Sequence, residues 1–404
     1  MFCFGPENNA PKMKDVPEKR RDFQKYSDDV FKRKVRFYVM ANRMQTLEGR
    51  LQRLEARRGQ ILQAAAQRPQ LPREEEKWWP HLIEFLGDEQ TIFEKNGIDR
   101  HVFAEALAFV SDIALETRGR RGLVRTPRER LMFLMIYMAK GVEVLEIYVA
   151  KYIKKRENIH RLAKKIAKKY GPNLIQGLIR FGNEQHPDTP EVALIVDCTI
   201  CQIKRPKIPF DEAKVFFSGK HYVYALKKEV CVNVRTGTAA LVSKAYPGSF
   251  HDIRILREHA DQMNELLGER KMLADLGYVG ARRDVRGIVV CDENDRTLRG
   301  RRVFVECFFG RLKGKWRIFS EKWILEEKYF DRFFDLACAL TNLHIFHYPL
   351  VLADQQFNDG VLNMILIRIQ MKAARQRLAN EEYAIRRRRR LQADSDETDE
   401  TIEL

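Results

Sequence analysis

Glu191-Val192-Ala193-Leu194-Ile195-Val196-Asp197-Cys198-Thr199-Ile200-Cys201 is the stretch whose reading decides the fold. Residues 193–196 are all apolar and the run is too short for an ordinary helix, so it reads as a buried β-strand. That strand ends by presenting one acid, Asp197. A carboxylate closing an apolar strand is costly unless it is paired or binds a metal. Two more acids stand in similar settings: Asp275 follows Met272-Leu273-Ala274, and Glu306 follows Val303-Phe304-Val305.

Downstream of this strand, residues 221–226 and 230–234 read as two further strands. Arg235-Thr236-Gly237-Thr238 reads as a hairpin turn and 239–245 as a fourth strand. Pro247-Gly248-Ser249 breaks the run. Residues 251–267 read as one helix and 271–274 as a short buried strand. Glu306 opens a helix or sits early in one, and another helix covers 330–346. Strands first, then helix, strand and helix, suit an α/β core of ribonuclease H-like type over residues 190–350.

Upstream the pattern is helical, over residues 76–185. Thr126-Pro127-Arg128-Glu129 is a capping box with proline at the first helical position. Its helix runs to Gly141, a second covers 144–153, and a third, 157–170, carries Arg161, Lys164, Lys165, Lys168 and Lys169 on one face. Helix, glycine turn, helix and basic helix are the layout of a helix-turn-helix. On that reading the lysines meet phosphates, while Asn158, His160 and Arg161 face base edges. An ordinary helical domain with a solvated lysine face accounts for the pattern equally well.

The flanks are simpler. Residues 1–30 read as a disordered arm. Residues 31–75 read as a basic heptad-like helix and a linker, the helix serving either dimerisation or packing on its own domain. Residues 351–404 read as an amphipathic helix over 361–383, five arginines at 386–390 and an acidic disordered tail.

Composition narrows the partners. The chain has 404 residues, with 73 lysines and arginines against 56 aspartates and glutamates, a net charge of +17. Such an excess points to a polyanion, most often nucleic acid. Seven scattered cysteines suit free thiols in a reducing compartment. Cys198 and Cys201 form one C-x-x-C without a second pair, and on a strand they would face opposite ways, which argues against zinc. The first residues lack the pattern of a secretory signal, and the longest apolar run is too short to span a bilayer. The expectation is a soluble protein of the nucleus, or of the cytoplasm in a cell without one.

Three carboxylates from separated segments suit two-metal phosphodiester chemistry. In such sites two Mg²⁺ or Mn²⁺ ions about 3.5–4 Å apart hold the attacking and leaving oxygens. Asp197 would bridge the ions, with Asp275 and Glu306 holding one each. Lys313 lies two helical turns after Glu306 and could hold a phosphate beside it. Arg302 and Arg311 add positive charge.

At these residues the chain resembles the DDE transposases of the Harbinger type and related bacterial insertion-sequence transposases. The likeness runs through Val196-Asp197-Cys198-Thr199, Ile203-Lys204-Arg205-Pro206 and Phe217-Ser218-Gly219-Lys220. It continues in Tyr246-Pro247-Gly248-Ser249-Phe250-His251-Asp252, Ala274-Asp275-Leu276-Gly277-Tyr278 and Val305-Glu306-Cys307-Phe308-Phe309-Gly310-Arg311-Leu312-Lys313. The resemblance implies a ribonuclease H-like core, with Asp197, Asp275 and Glu306 as a metal-binding catalytic triad. Asp252 also matches a family acid, either near the metals or at a helix start. It further implies divalent metal, double-stranded DNA carrying terminal repeats, strand transfer, assembly as a homodimer or higher, and in some members a separate DNA-binding partner protein. The chain departs from the pattern at Tyr224, Glu229, Leu276 and Cys307, where histidine, glutamine, lysine and arginine are common. A catalytically inactive, transposase-derived DNA-binding protein and a housekeeping metal-dependent nuclease are the competing readings.

Overall fold

The computed structural model describes residues 45–46, 48–53, 56, 86, 88–111, 113, 126–150, 153–182, 186–291, 296–351 and 354–400, with side chains at 296–297 and beyond 386 outside the description. Most of the expected heptad-like helix and the whole N-terminal arm lie outside the described residues. Residues 47–404 form one compact unit.

Among the described residues, the helices that precede the sheet include α1 (Glu89–Asn96), α2 (Arg100–Ala108), α3 (Pro127–Lys140), α4 (Val142–Val149) and α5 (Arg156–Leu178). The Thr126 hydroxyl accepts from the Glu129 amide and the Glu129 carboxylate accepts from the Thr126 amide, which closes the capping box at α3. Leu131 through Met138 are all buried, so α3 is apolar around its whole circumference because neighbours cover every side. Gly141 (φ 86°) makes a one-residue turn into α4.

The sheet comprises β1 (Val192–Gln202), β2 (Phe217–Ser218), β3 (Val223–Asn233), β4 (Ala239–Val242), β5 (Tyr246–Pro247), β6 (Lys271–Ala274) and β7 (Ile288–Val290). Its main path is β2-β3-β1-β6-β7, with β4 and β5 paired to β3. β1 and β3 are antiparallel, whereas β1, β6 and β7 are parallel. The intervening helices are α6 (Phe210–Lys214), α7 (Asp252–Arg257) and α8 (Ala260–Leu267). Four follow: α9 (Arg296–Lys315), α10 (Arg317–Ser320), α11 (Phe330–His347) and α12 (Gln355–Glu400). The chain is thus an α/β protein with a mixed sheet.

Several elements differ from the sequence expectation, each for an identifiable reason. β1 covers Val192–Gln202, close to the stretch 191–201 read as a strand, but Asp197 lies inside it and not at its end, because Cys198–Gln202 stay paired with β3. The two short strands expected around Lys227-Lys228-Glu229 are one strand, β3. Three consecutive charges look like a break, but each finds a partner: Lys227 meets Asp252, Lys228 meets Asp331 and Asp335, and Glu229 meets His259. The helix expected over 251–267 is two. His259 leaves the helical backbone (φ −132°, ψ 25°) as its ring turns to Glu229. Glu306 lies in the middle of α9, not at its start. The last helix extends to Glu400, into the stretch expected to be a disordered tail.

The helical segment and the sheet share one core rather than forming bodies divided near residue 185. α5 packs along α11. Asn342, fully buried on α11, donates to the carbonyls of Leu178 and Ala239 and accepts from the Ala239 amide, at 2.7–2.9 Å. One side chain therefore ties α5, β4 and α11 together. Residues directly opposite across β1 and β3 share a face, and successive residues alternate. Cys198 and Glu229 look toward α7 and α8, over a core of Leu194, Val196, Leu256, Met263, Met272 and Tyr278. Thr199 and Lys228 look the other way, toward α11.

Candidate active site

β6 pairs with β1 through Ile195↔Leu273 and stops at Ala274. The residue after it, Asp275, therefore comes level with Asp197 where the two parallel strands part. Asp275 turns the chain at once: its Oδ1 accepts from the Gly277 amide at 2.9 Å and caps a short 3₁₀ turn, Leu276–Tyr278. A side chain at Gly277 would crowd the neighbouring carboxylates. Its Cβ would stand 3.0 Å from Asp275 Oδ1 and 3.5 Å from Asp252 Oδ2, which also shows how closely those two carboxylates approach.

Asp252 is the first residue of α7 and lies on the same side, held by Lys227 Nζ at 2.8 Å. Asp197 Oδ1 accepts from the Cys198 amide at 2.7 Å. Burial pushes the Asp197 carboxyl up to about 6, and the charges of Asp275 and Asp252 push in the same direction, while the Cys198 amide and Arg302 oppose them. Asp275 follows β6, Asp252 opens α7, and Asp197 lies inside β1 level with Asp275, where the two neighbouring charges add to the burial that raises it.

Glu306 stands apart. Its carboxylate, half exposed, is gripped by Arg302 at 2.6 Å one turn earlier on α9. Asp197, Asp275 and Glu306 do not form a common cage: among the described residues no group of three or more His, Cys, Asp or Glu side chains is arranged to hold a metal. The reason is local, since an arginine four residues back on a helix is a nearer partner than carboxylates on another element. Arg302 is nevertheless close enough for its charge to reach Asp197.

The expected DNA contacts are divided. Lys313 Nζ donates to the Ile200 carbonyl at 2.8 Å, pinning α9 to β1. Arg311 donates to the Tyr348 carbonyl on another side of α9. On α5, Asn158, Arg161, Lys165 and Lys168 are exposed. His160 Nδ1 is 2.7 Å from the Tyr137 hydroxyl, and Lys164 pairs with Glu326 at 3.0 Å and lies over the Tyr329 ring. Two members of the expected recognition face are thus engaged within the unit.

A layer beneath the acids escaped the sequence reading. The Tyr278 hydroxyl donates to Glu229 Oε2 at 3.0 Å and lies 3.4 Å from Cys198 Sγ, and His259 Nε2 approaches Glu229 Oε1 at 2.8 Å. Glu229 is 1% exposed. This layer fixes the turn that carries Asp275 to the strand that carries Asp197. Its only sequence signal was the charged triplet inside β3. Burial raises the Glu229 carboxyl above its ordinary value, outweighing the His259 and Tyr278 contacts. A carboxyl raised by folding contributes less stability as pH rises through its folded value. Glu229→Gln, which keeps an acceptor for Tyr278, is therefore expected to melt no lower than the parent at pH 8 and to lose any advantage near pH 5, as read by thermal denaturation.

The donor set is carboxylate oxygen throughout, the chemistry that hard Mg²⁺ or Mn²⁺ prefers, and such ions need only one or two protein carboxylates. Crowded acids with a raised Asp197 are what a divalent cation would relieve, so the residues fit such an ion. Residues 196–342 match the family model described as DDE superfamily endonuclease, a span that takes in all four acids and Lys313. No curated protein and no solved structure matches the chain.

Proposed function

We propose that this chain, whose residues 196–342 match the DDE superfamily endonuclease model, is a transposase that cuts phosphodiester bonds of double-stranded DNA at terminal repeats and joins the ends to a target. The observation that supports the reading is the parallel register that sets Asp197 level with Asp275, with Asp197 raised by burial and by the charges of Asp275 and Asp252. Residues that cost stability in the folded chain mark functional sites. The order of three antiparallel strands followed by two parallel ones supports a ribonuclease H-like core.

Divalent cations, when bound, supply positive charge against the phosphate oxygens and activate the attacking water. Asp197 and Asp275 are the first candidates to hold them, Asp252 adds a third carboxylate, and Glu306 completes the set once it leaves Arg302. Lys227 keeps Asp252 in place. Lys313 holds α9, and with it Glu306, against β1. The exposed Asn158, Arg161, Lys165 and Lys168 on α5 provide a second surface for DNA phosphates and bases.

The test is incubation of the purified protein with terminal-repeat DNA in Mg²⁺ or Mn²⁺. Cleavage that persists in Asp197→Ala, or its absence in the parent, would count against the reading. An inactive DNA-binding descendant would bind DNA unchanged after all three family acids are replaced. Inverted repeats flanking the gene separate a transposase from a housekeeping nuclease.

Arg302 gives a sharper prediction. It competes with cations for Glu306 and repels them from Asp197. An exposed pair of this kind is worth about 0.2–1 kcal/mol. Arg302→Gln is therefore expected to lower the Mn²⁺ concentration at half-maximal thermal stabilisation by about 1.4- to fivefold. A midpoint unchanged or raised would show that Arg302 does not guard Glu306.

A further inference from the structure

On the flank of α9 beside Glu306 lies a cleft of about 640 Å³. Cys307, Gly310, Arg311, Gly314 and Lys315 form one wall, at the spacing of a single helical face. Lys140, at the end of α3, and His344, on α11, face it from other elements. Its lining holds three permanent cations and no carboxylate. In a chain with 56 acids that is a marked segregation of charge.

Among the described residues, no carboxylate neutralises these cations. Neither Lys140 nor Lys315 has a carboxylate partner among the described residues. Arg311 gives one donor to the Tyr348 carbonyl and keeps others. The charge of Asp99 acts on His344, and that carboxylate already accepts from the Tyr348 hydroxyl at 2.7 Å and the Val102 amide at 3.0 Å. Burial, then the charges of Lys315 and Arg311, holds the His344 imidazole down at about 4. His344 Nδ1 is buried without a hydrogen-bond partner. The wall is also bare: a Cβ at Gly310 or Gly314 would meet nothing within 4 Å, so an extended backbone can approach α9 closely.

We propose that this cleft is the track for the DNA backbone flanking the cut, its phosphodiester groups held by Lys140, Lys315 and Arg311. The track begins at Cys307, the residue after Glu306, and ends at Lys315, about 12 Å further along the helix. That length matches about three or four base pairs of duplex. The choice of DNA over a small anion rests on the nuclease reading above; the positive cleft itself does not.

The experiment uses the full-length protein without metal, a terminal-repeat duplex, and pyrophosphate as the small-anion probe. Maleimide labelling of Cys307, the exposed thiol on the wall, is followed by peptide mass spectrometry. Duplex affinity is measured against salt. The expected result is protection of Cys307 by duplex in the parent and in Asp197→Asn. Lys140→Gln/Lys315→Gln should lose that protection and show a salt slope shallower by about 1.8, so that between 50 and 200 mM salt the parent loses about tenfold more affinity than the variant. Lys140→Arg/Lys315→Arg should retain both, which separates charge from any packing defect. Protection and slope unchanged in the glutamine pair would overturn the proposal, as would protection by pyrophosphate but not by duplex. Cleavage failing while protection and slope behave as expected would instead sink the nuclease reading and leave the track standing.

Discussion

Asp197→Asn is expected to abolish metal-dependent cleavage and, at the same time, to raise the melting temperature of the metal-free protein. The two effects share one cause. Folding takes the Asp197 carboxyl from about 3.8 to about 6, through burial first and then through Asp275 and Asp252. Because the folded state binds the proton more tightly than the unfolded one, stability falls as pH rises from about 4 to about 6, and the full cost is present above 6. A shift of this size corresponds to about 3 kcal/mol. Asparagine keeps an oxygen for the Cys198 amide and carries no charge, so it escapes that cost at pH 7.5 and gains nothing near pH 4. Mn²⁺ should reverse the ranking. A cation that binds only the folded parent at a thousand times its dissociation constant adds about 4.1 kcal/mol, more than the carboxylate costs, while the variant lacks the central ligand. Calorimetry at pH 4.5 and 7.5, with and without Mn²⁺, gives four melting temperatures. A variant that melts below the parent at pH 7.5 without metal would remove the strained-carboxylate argument.

Lys228→Ala should produce the largest loss of stability. Lys228 is fully buried, with Nζ 2.7 Å from Asp331 and 3.0 Å from Asp335 and 5.4 Å from the Phe334 ring centroid. It joins β3 to α11, and so the sheet that carries the acids to the helix that carries Asn342. Burial raises the Asp335 carboxyl and Asp331 adds to the rise, with Lys228 as the opposing influence. Removing one partner of a buried pair costs about 3–5 kcal/mol, because the remaining charge is left uncompensated. The loss should shrink as pH falls and Asp335 takes up a proton. Replacing both ends with apolar residues, as in Lys228→Met/Asp335→Leu, should recover most of it. Denaturant titration of the two single variants and the double variant measures the coupling. A double variant as unstable as Lys228→Ala alone would show that packing, not charge, is what the pair supplies.

These two residues show where the sequence was legible and where it was not. The strand through Val196, the capping box at Thr126, the strand at 271–274 and the helix from Phe330 follow from local apolar pattern and turn chemistry, and the structure has them. The Lys227-Lys228-Glu229 triplet was misread as a break, because its partners lie 25, 103 and 30 positions further on and a local pattern carries no trace of them. The same holds for His259, which splits one expected helix into two.

The candidate site divides in the same way. That Asp197 and Asp275 each end or interrupt an apolar strand is a property of the chain in one dimension, and burial of both strands follows from hydrophobicity alone. Their meeting is decided by the parallel register of β1 and β6, which no local pattern encodes. Asp252 joins them because Lys227 on β3 holds it, and Glu306 stays apart because Arg302 lies one helical turn away. Composition and spacing determined which side chains must be inside and which acids would resent it; strand register and long-range ion pairs decided which of those acids face one another.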